Sequence, residues 1–460
     1  MKKIYLLILT LVLSINVHDS YSQLPNQNMY LLRNLNQHFT STLYSAVWGY
    51  KAPNGREYAL LGCPSGTAFI DVTDSANIRE VDYLTGVTSS WREMKTYSHY
   101  AYIVSEGFNS RLQIVDLQYL PDSVSLVKVW NYPGWSSTHT ISQSGPYLYL
   151  NGGNATPNGG ITILDITDPI NPVKKGQWST LYVHDCRVVN DTIYAANIDD
   201  EKVSIINASN KNSLTTVTSF VNLPGSGPHN CDLTEDNKRL YVCDEIGTAP
   251  FRLKVWNIEN KSNITYVTTW NPTGITNSIV HNIEIYGNFG IIAHYSAGVR
   301  IINISNPNVP TEVAWYDTYP SNNNESYNGC WGVYLFPSGK IVASDRQTGL
   351  YVLKTNFPLT GVNNNVINVV PENYSLSQNY PNPFNPSTKI NFTLPKNSNV
   401  SLKIYNASGK EVASVINDRR DAGNYEITFD AAKYGIASGT YFYTLTSDNF
   451  SETRKMLLVK

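Results

Sequence analysis

A short apolar run closed by Asp, Asn or Lys returns seven times along this chain. The copies are "GTAFIDVTDS" (66–75), "SRLQIVDLQYL" (110–120), "GGITILDITDP" (159–169), "EKVSIINASN" (201–210), "FRLKVWNIEN" (251–260), "AGVRIINISNP" (297–307) and "TGLYVLKTN" (348–356). The closing residues Asp71, Asp116, Asp165, Asn207, Asn257, Asn303 and Lys354 are separated by 45, 49, 42, 50, 46 and 51 positions. A period in this range marks a repeat architecture. The third period contains four segments, "STHTIS", "PYLYLNG", "GITILDI" and "VKKGQW". None has the three-and-four apolar spacing of a helix. Four short strands in about 40–50 residues is the pattern of a β-propeller blade.

The turn before the last segment is written twice, as Asp168-Pro169 and Asn171-Pro172. Proline supplies a fixed φ and lies outside the sheet, so the chain reverses there into an outermost strand without losing a ladder bond. The seventh period, "GCWGVYLFPSGKIVASDRQTGLYVLKT", holds three strands and no fourth. An unassigned strand, "MYLLRNL" (29–35), precedes the first period. It is expected to supply the missing strand and close a seven-bladed ring, which removes exposed edges. One misassigned segment would make the ring six- or eight-bladed.

Composition agrees with an all-β chain. Tyrosine is abundant at 32 residues, and it favours pleated, half-buried surfaces. Apolar residues make up 42% and charged residues 15%, which excludes a disordered polyelectrolyte. The formal net charge of -2 leaves no footprint for nucleic acid, and no nucleic-acid partner is expected. Residues 1–22 read as a signal peptide. Lys2 and Lys3 precede the apolar run Ile4–Ile15, and Ser20-Tyr21-Ser22 places cleavage near Ser22. Export permits disulfides. Of the five cysteines, Cys231 and Cys243 flank the turn-like "TEDNK" and are expected to pair across a hairpin. No Cys-x-x-Cys pair occurs, so a zinc knuckle is not expected.

The repeats "LQIVDL" and "ITILDI" resemble the LVIVD-type repeat. The series "WREMKTYSHYAYIVSEG", "HTIS", "HDCRV", "HNCDL", "HNIEI" and "SDRQTGL" resembles the choice-of-anchor B family of exported propellers. The resemblance covers about residues 29–356 and implies surface display but no established reaction. A polar linker (357–373) follows. Residues 374–460 then show alternating strands of a small β-sandwich. Here "YPNPFNPS", "IYNASGK", "GTYFY" and the terminal Lys460 resemble the type A sorting domain of the type IX secretion system, and also the immunoglobulin-like domain of flagellar hook-capping proteins. That resemblance implies the type IX machinery as partner and an address on the outer-membrane surface of a two-membrane bacterium, or in its medium. A carbohydrate-binding or spacer sandwich is the other reading of the strands.

Reading off the starts of the first strands gives Trp48, Trp91, His139, His184, His229, His281 and Trp331. The ends of the second strands, which lie on the same side, give Glu106, Asn151, Asn197, Asp244, His294 and Asp345. With Glu93 and Asp185 these residues are expected to ring one mouth of the central channel. Imidazole and carboxylate together suit a divalent first-row metal, with His139, His184, His229 and His281 as ligands. They also suit an acid/base pair in which Asp185 or Glu93 orients a histidine. Histidines that hydrogen-bond the next blade's backbone serve the fold alone. No Gly-x-Ser-x-Gly elbow occurs, so a serine hydrolase of that type is not expected. Two functions stay open. The first is a surface binding module for a glycan, peptide or matrix ligand, with tryptophan as stacking area. The second is an extracellular metal-dependent enzyme.

Overall fold

The structure is a computed structural model that describes residues 26–40, 43–154, 156–224, 226–247, 249–359, 373–420, 423–448 and 450–459. The expected signal peptide and its cleavage point lie outside the described residues, as does most of the expected linker.

Strands dominate. Each repeat period folds as one antiparallel sheet, and seven such sheets are present among the described residues up to Thr355. Sheet one contains Val47–Lys51, Glu57–Cys63, Gly66–Asp71 and Arg79–Thr85. Sheet two begins at Arg92–Tyr97, sheet three at Thr140–Ser144, sheet four at Asp185–Val189, sheet five at Ser226–Leu233, sheet six at Asn282–Tyr286 and sheet seven at Cys330–Leu335. Met29–Leu35 pairs antiparallel with Gly349–Thr355 as the fourth strand of sheet seven. Asn26–Gln27 adds a fifth strand to sheet six, which the sequence did not suggest.

Side-chain chemistry explains why the strands stop where they do. Asp71, Asp116, Asp165, Asn207, Asn257 and Asn303 end third strands, and each accepts the backbone N–H two residues on. Three residues further, Asp74, Asp168, Asn210, Asn260 and Asn306 repeat the same turn. Such Asx turns compete with the ladder and reverse the chain. All seven sheets have a register shift between the third strand and the fourth, a feature that sharpens twist.

Apolar cores lie between successive sheets. Tyr102, Ile114, Ile141 and Leu150 join sheets two and three, and Tyr241, Val255, Ile283 and Ile302 join sheets five and six. The core of sheet one takes in Tyr334, Val342, Leu350 and Val352 of sheet seven. At the same seam buried Glu57 accepts from Ser338 N at 3.0 Å and lies 3.4 Å from Lys340 Nζ. The first strand of every sheet touches that of the next, and that of sheet seven touches that of sheet one.

All five cysteines are free and buried. This corrects the expected Cys231–Cys243 disulfide. The turn sets Leu233 opposite Leu240, so Cys231 faces Val242 and Cys243 faces Asn230. Neighbouring positions in register send the two thiols to opposite faces. Cys231 packs in the core between sheets four and five, and Cys243 in the core between sheets five and six.

From Ser375 onward a three-stranded sheet (Ser375–Leu376, Ser387–Leu394, Gly423–Asp430) shares one core with a four-stranded sheet. The latter contains Ser398–Asn406, Glu411–Arg420, Gly439–Ser447 and Phe450–Leu458. Alternation is plain in Ser387–Leu394, where Thr388, Ile390, Phe392 and Leu394 point inward.

Candidate functional site

His139, His184 and His281 each precede the first residue of a first strand and donate their backbone N–H to the second strand of their own sheet. His229 lies within the longer first strand of sheet five. Equivalent placement in successive sheets brings the rings into one file. Centroids are 4.2 Å apart for His139 and His184, 4.1 Å for His184 and His229, and 4.1 Å for His229 and His281. The ring of Trp331 follows His281 at 4.6 Å.

The hydrogen bonds of the file are ordered. His229 Nδ1 donates to the carbonyl of His281 at 3.0 Å, and His281 Nδ1 donates to that of Trp331. These bonds tie one sheet to the next, so part of each histidine's role is structural. They also fix the tautomer, because a neutral ring with Nδ1–H carries a lone pair on Nε2. Both Nε2 atoms face Glu245, at 3.6 Å from His229 and 3.8 Å from His281. Glu245 Oε1 accepts the Tyr295 hydroxyl at 2.7 Å. His281 is fully buried, and its Nε2 has no hydrogen-bond partner among the described residues.

The other end of the file differs. His139 Nδ1 donates to Glu106 at 2.6 Å, and its Nε2 stands 2.8 Å from His184 Nε2. Burial pulls the His139 pKa down, but the hydrogen bond and charge of Glu106 outweigh it and the net shift is upward. His184 moves well below the usual histidine range through burial and the neighbouring imidazoles. Burial also lowers His229, partly offset by Glu245, and lowers His281 strongly.

Of the other expected residues, Glu106, Trp91 and Trp331 belong to this cluster. Trp91 meets Trp331 edge-on at 6.1 Å, and the Arg346 guanidinium lies 4.5 Å from the Trp331 ring centre and 5.6 Å from that of Trp91. Trp48, Glu93 and Asp185 form a second layer further along the first strands. Trp48 and Asp185 line a cavity of about 180 Å³ with Lys95, Arg187, Asn230 and Glu284. Lys95 Nζ lies 2.9 Å from Glu93 and 3.9 Å above the Trp48 ring. Asn230 donates to Asp185 at 2.7 Å. Burial and the charge of Glu93 raise the pKa of Asp185.

Asp244 and Asp345 are not in the cluster, contrary to expectation. Asp244 is fully buried against Lys254 at 2.9 Å and accepts from Asn222 at 2.6 Å. Asp345 accepts the backbone N–H of Gln347 and Thr348, both at 2.9 Å, and braces its turn. His294 likewise turns away and meets Ser278 at 3.1 Å. In each of these sheets the next residue faces the histidine file: Glu245, Tyr295 and Arg346. Consecutive strand residues point to opposite sides, so reading the strand end one position early selected the inner residue. The signal was present in "CDE", "HYS" and "DRQ", where a polar or aromatic residue follows Asp244, His294 or Asp345.

Residues 378–460 match the model of the secretion system C-terminal sorting domain, and residues 137–180 and 279–318 match that of the LVIVD repeat. No curated protein matches the chain. Among solved structures, a putative 6-phosphogluconolactonase from Bacteroides uniformis is 10% identical over 70% of this chain and 94% of its own, with a TM-score of 0.52. PorZ, a surface component of the type IX secretion system of Porphyromonas gingivalis, is 12% identical with a TM-score of 0.42, and the match spans 88% of this chain and 58% of PorZ. The periplasmic gluconolactonase PpgL of Pseudomonas aeruginosa is 11% identical over 85% of this chain and all of its own, with a TM-score of 0.49. The first of these is a likeness of fold alone. No helix among the described residues is long and apolar enough to cross a membrane. The chain carries LVIVD repeats and a C-terminal type IX sorting domain, and is a secreted or cell-surface protein.

Proposed function

We propose that the seven sheets close into a seven-bladed propeller over residues 29–356, which the type IX machinery delivers to the cell surface as a binding module. Residues 374–460 are its immunoglobulin-like address, joined through the linker 357–373. The cyclic contacts of the first strands and the register shift shared by all seven outer strands support the closed ring. The ligand sits on the channel mouth at the end of the histidine file. One observation carries this reading: Trp91, Trp331 and Arg346 form a cation–aromatic stack beside the hydrogen-bonded pair Glu106–His139. Trp91 is 36% exposed and the Glu106 side chain 42% exposed, so both reach solvent. An aromatic face flanked by a cation and a carboxylate suits a glycan or a polar peptide of the extracellular matrix.

A binding screen of the purified full-length protein against glycan and matrix-peptide arrays tests this. Trp91→Ala and Glu106→Gln are expected to abolish capture without lowering the melting temperature. Capture that survives both substitutions would place the ligand elsewhere.

A second reading, a metal-dependent extracellular enzyme, is favoured by the convergence of His184, His229 and Glu245, whose ligand atoms lie within 4.8 Å of one another.

A further inference from the structure

We propose that His184, His229 and Glu245 hold one divalent first-row transition-metal ion, with a nitrogen of His184, Nε2 of His229 and a carboxylate oxygen of Glu245 as ligands and a fourth position left to water. This rests on the channel mouth being the functional face, and it changes the expected ligand set. His139 and His281 leave the set and Glu245 enters.

The geometry points to an ion in three ways. First, a tetrahedral ion with bonds near 2.0–2.1 Å separates its ligand atoms by about 3.4 Å. His229 Nε2 and Glu245 Oε2 are 3.6 Å apart, too far for a hydrogen bond and close to that edge. Second, the ligands are braced as metal ligands are. His229 gives its Nδ1–H to a backbone carbonyl, and Glu245 is held by the Tyr295 hydroxyl. With the ion bound, His184 would ligate through Nδ1, which has no hydrogen-bond partner among the described residues, and give its Nε2–H to His139 Nε2, whose own Nδ1–H goes to Glu106. Third, His281 Nε2 is a buried acceptor with no partner among the described residues, and it lies 3.8 Å from Glu245. A buried polar atom of this kind needs a partner. Water on the fourth position of the ion supplies one, donating to His281.

His139 cannot join the ligands while it keeps its bonds. Its Nδ1 is committed to Glu106 at 2.6 Å, and its Nε2, 2.8 Å from His184 Nε2, is the acceptor for the His184 proton, so neither nitrogen is left for the ion. Two histidines and one glutamate with an open position form a set suited to zinc, and equally to cobalt as a spectroscopic probe.

Chelator-treated full-length protein titrated with cobalt(II) and with zinc(II) tests the site. One equivalent of zinc is expected by calorimetry, and cobalt should give the intense visible absorption of four-coordinate geometry. Tyr295→Phe removes the hydroxyl that braces Glu245 and is expected to weaken zinc binding by roughly 10- to 100-fold. Glu245→Gln should weaken it further. His294→Asn, a buried histidine outside the cluster, should leave uptake unchanged. No uptake by the wild type overturns the proposal, as does uptake that Glu245→Gln does not weaken or that His294→Asn removes. The wild-type titration decides even if a variant fails to fold. Glycan or peptide capture by the metal-free protein is scored separately, so loss of the metal site and loss of the binding-module reading are distinct results.

Discussion

His229 Nε2 faces Glu245 Oε2 across 3.6 Å, with a lone pair on the nitrogen and negative charge on the oxygen. Two acceptors that face each other in a buried site gain nothing from their proximity. Replacing Glu245 by Gln puts an N–H₂ group opposite the imidazoles while its carbonyl still accepts from Tyr295. In metal-free protein Glu245→Gln is therefore expected to be neutral or to stabilise by about 0.5–1.5 kcal/mol. Chemical denaturation of the two chelated proteins measures this. A loss of several kcal/mol would mean that the carboxylate already holds a proton or is hydrogen-bonded in the metal-free state.

Acid should destabilise the protein through its buried histidines, and His294 isolates the effect. Burial, and then the charge of Arg300, push its pKa from 6.5 down to about 3. Between those values the unfolded chain binds a proton at this position and the native protein does not. Stability from this group is thus complete above pH 6.5 and is lost as pH falls toward about 3. The slope is one proton, about 1.4 kcal/mol per pH unit. His139 has the opposite sign, because its folded pKa is raised. The comparison is therefore wild type against His294→Asn. The wild-type advantage in denaturation free energy should shrink steadily from pH 6.5 to 4. A constant difference would place the His294 ring in contact with solvent.

The seam between sheets seven and one offers a mechanical test of the ring. Glu57 and Lys340 are both buried there. Lys340 Nζ also reaches the Thr73 carbonyl at 3.0 Å. Glu57→Ala leaves a buried ammonium without its counter-charge and is expected to cost about 3 kcal/mol. Replacing both residues, as Glu57→Leu with Lys340→Met, should recover most of that loss, since an apolar pair avoids the desolvation of two ions. Thermal melts of the single and double variants check this. A negligible effect of Glu57→Ala would mean that the seam is open to water.

The cysteines follow from register. Electrospray mass of the unreduced mature protein should show no loss of hydrogens to disulfides, and five thiols should titrate in denaturant. Native labelling should be slow. Burial raises the thiol pKa of Cys63 and Cys186 to about 12, and that of Cys231, Cys243 and Cys330 upward as well. Little thiolate, the reactive form, is then present at neutral pH.

These residues show what could be read from the chain alone. The sheets were legible because each needs three strands covered on both faces, which writes near-continuous apolar runs such as Ile161–Leu164. The Asx residues that end them punctuate the period. Met29–Leu35 was legible because sheet seven lacked a partner for Gly349–Thr355. The histidine file was legible because the same residue type recurs at the same place beside four first strands. Side-chain direction was not legible. Whether Asp244 or Glu245 meets His229 depends on one step of strand alternation, and a window of apolar residues does not fix that step. Trp48 was misplaced for a related reason. It lies within the strand Val47–Lys51 rather than before it, and so falls in the second layer beside Lys95. The Cys231 and Cys243 expectation failed on one residue of hairpin register.

The C-terminal domain carries the last prediction. Its two sheets bury their own core, with Ile390 and Phe392 from one and Leu402, Tyr443 and Met456 from the other. The "YPNP" motif closes it. Asn382 accepts from Leu457 N at 2.9 Å, and Phe384 N donates to the Leu457 carbonyl at 3.0 Å. The last strand, Phe450–Leu458, is thereby held on both sides. Deleting residues 374–460 is expected to leave the repeats folded, because their cores draw on none of the deleted residues, and to trap the protein in the periplasm. Asn382→Ala is milder. It gives the exposed Leu457 N–H to water and is expected to cost at most about 1 kcal/mol, with partial retention. Cell fractionation with surface proteolysis reads both. If the truncated protein still reached the surface, residues 374–460 would not be the address. If it arrived unfolded in the periplasm, the sandwich would be part of the repeats' own stability.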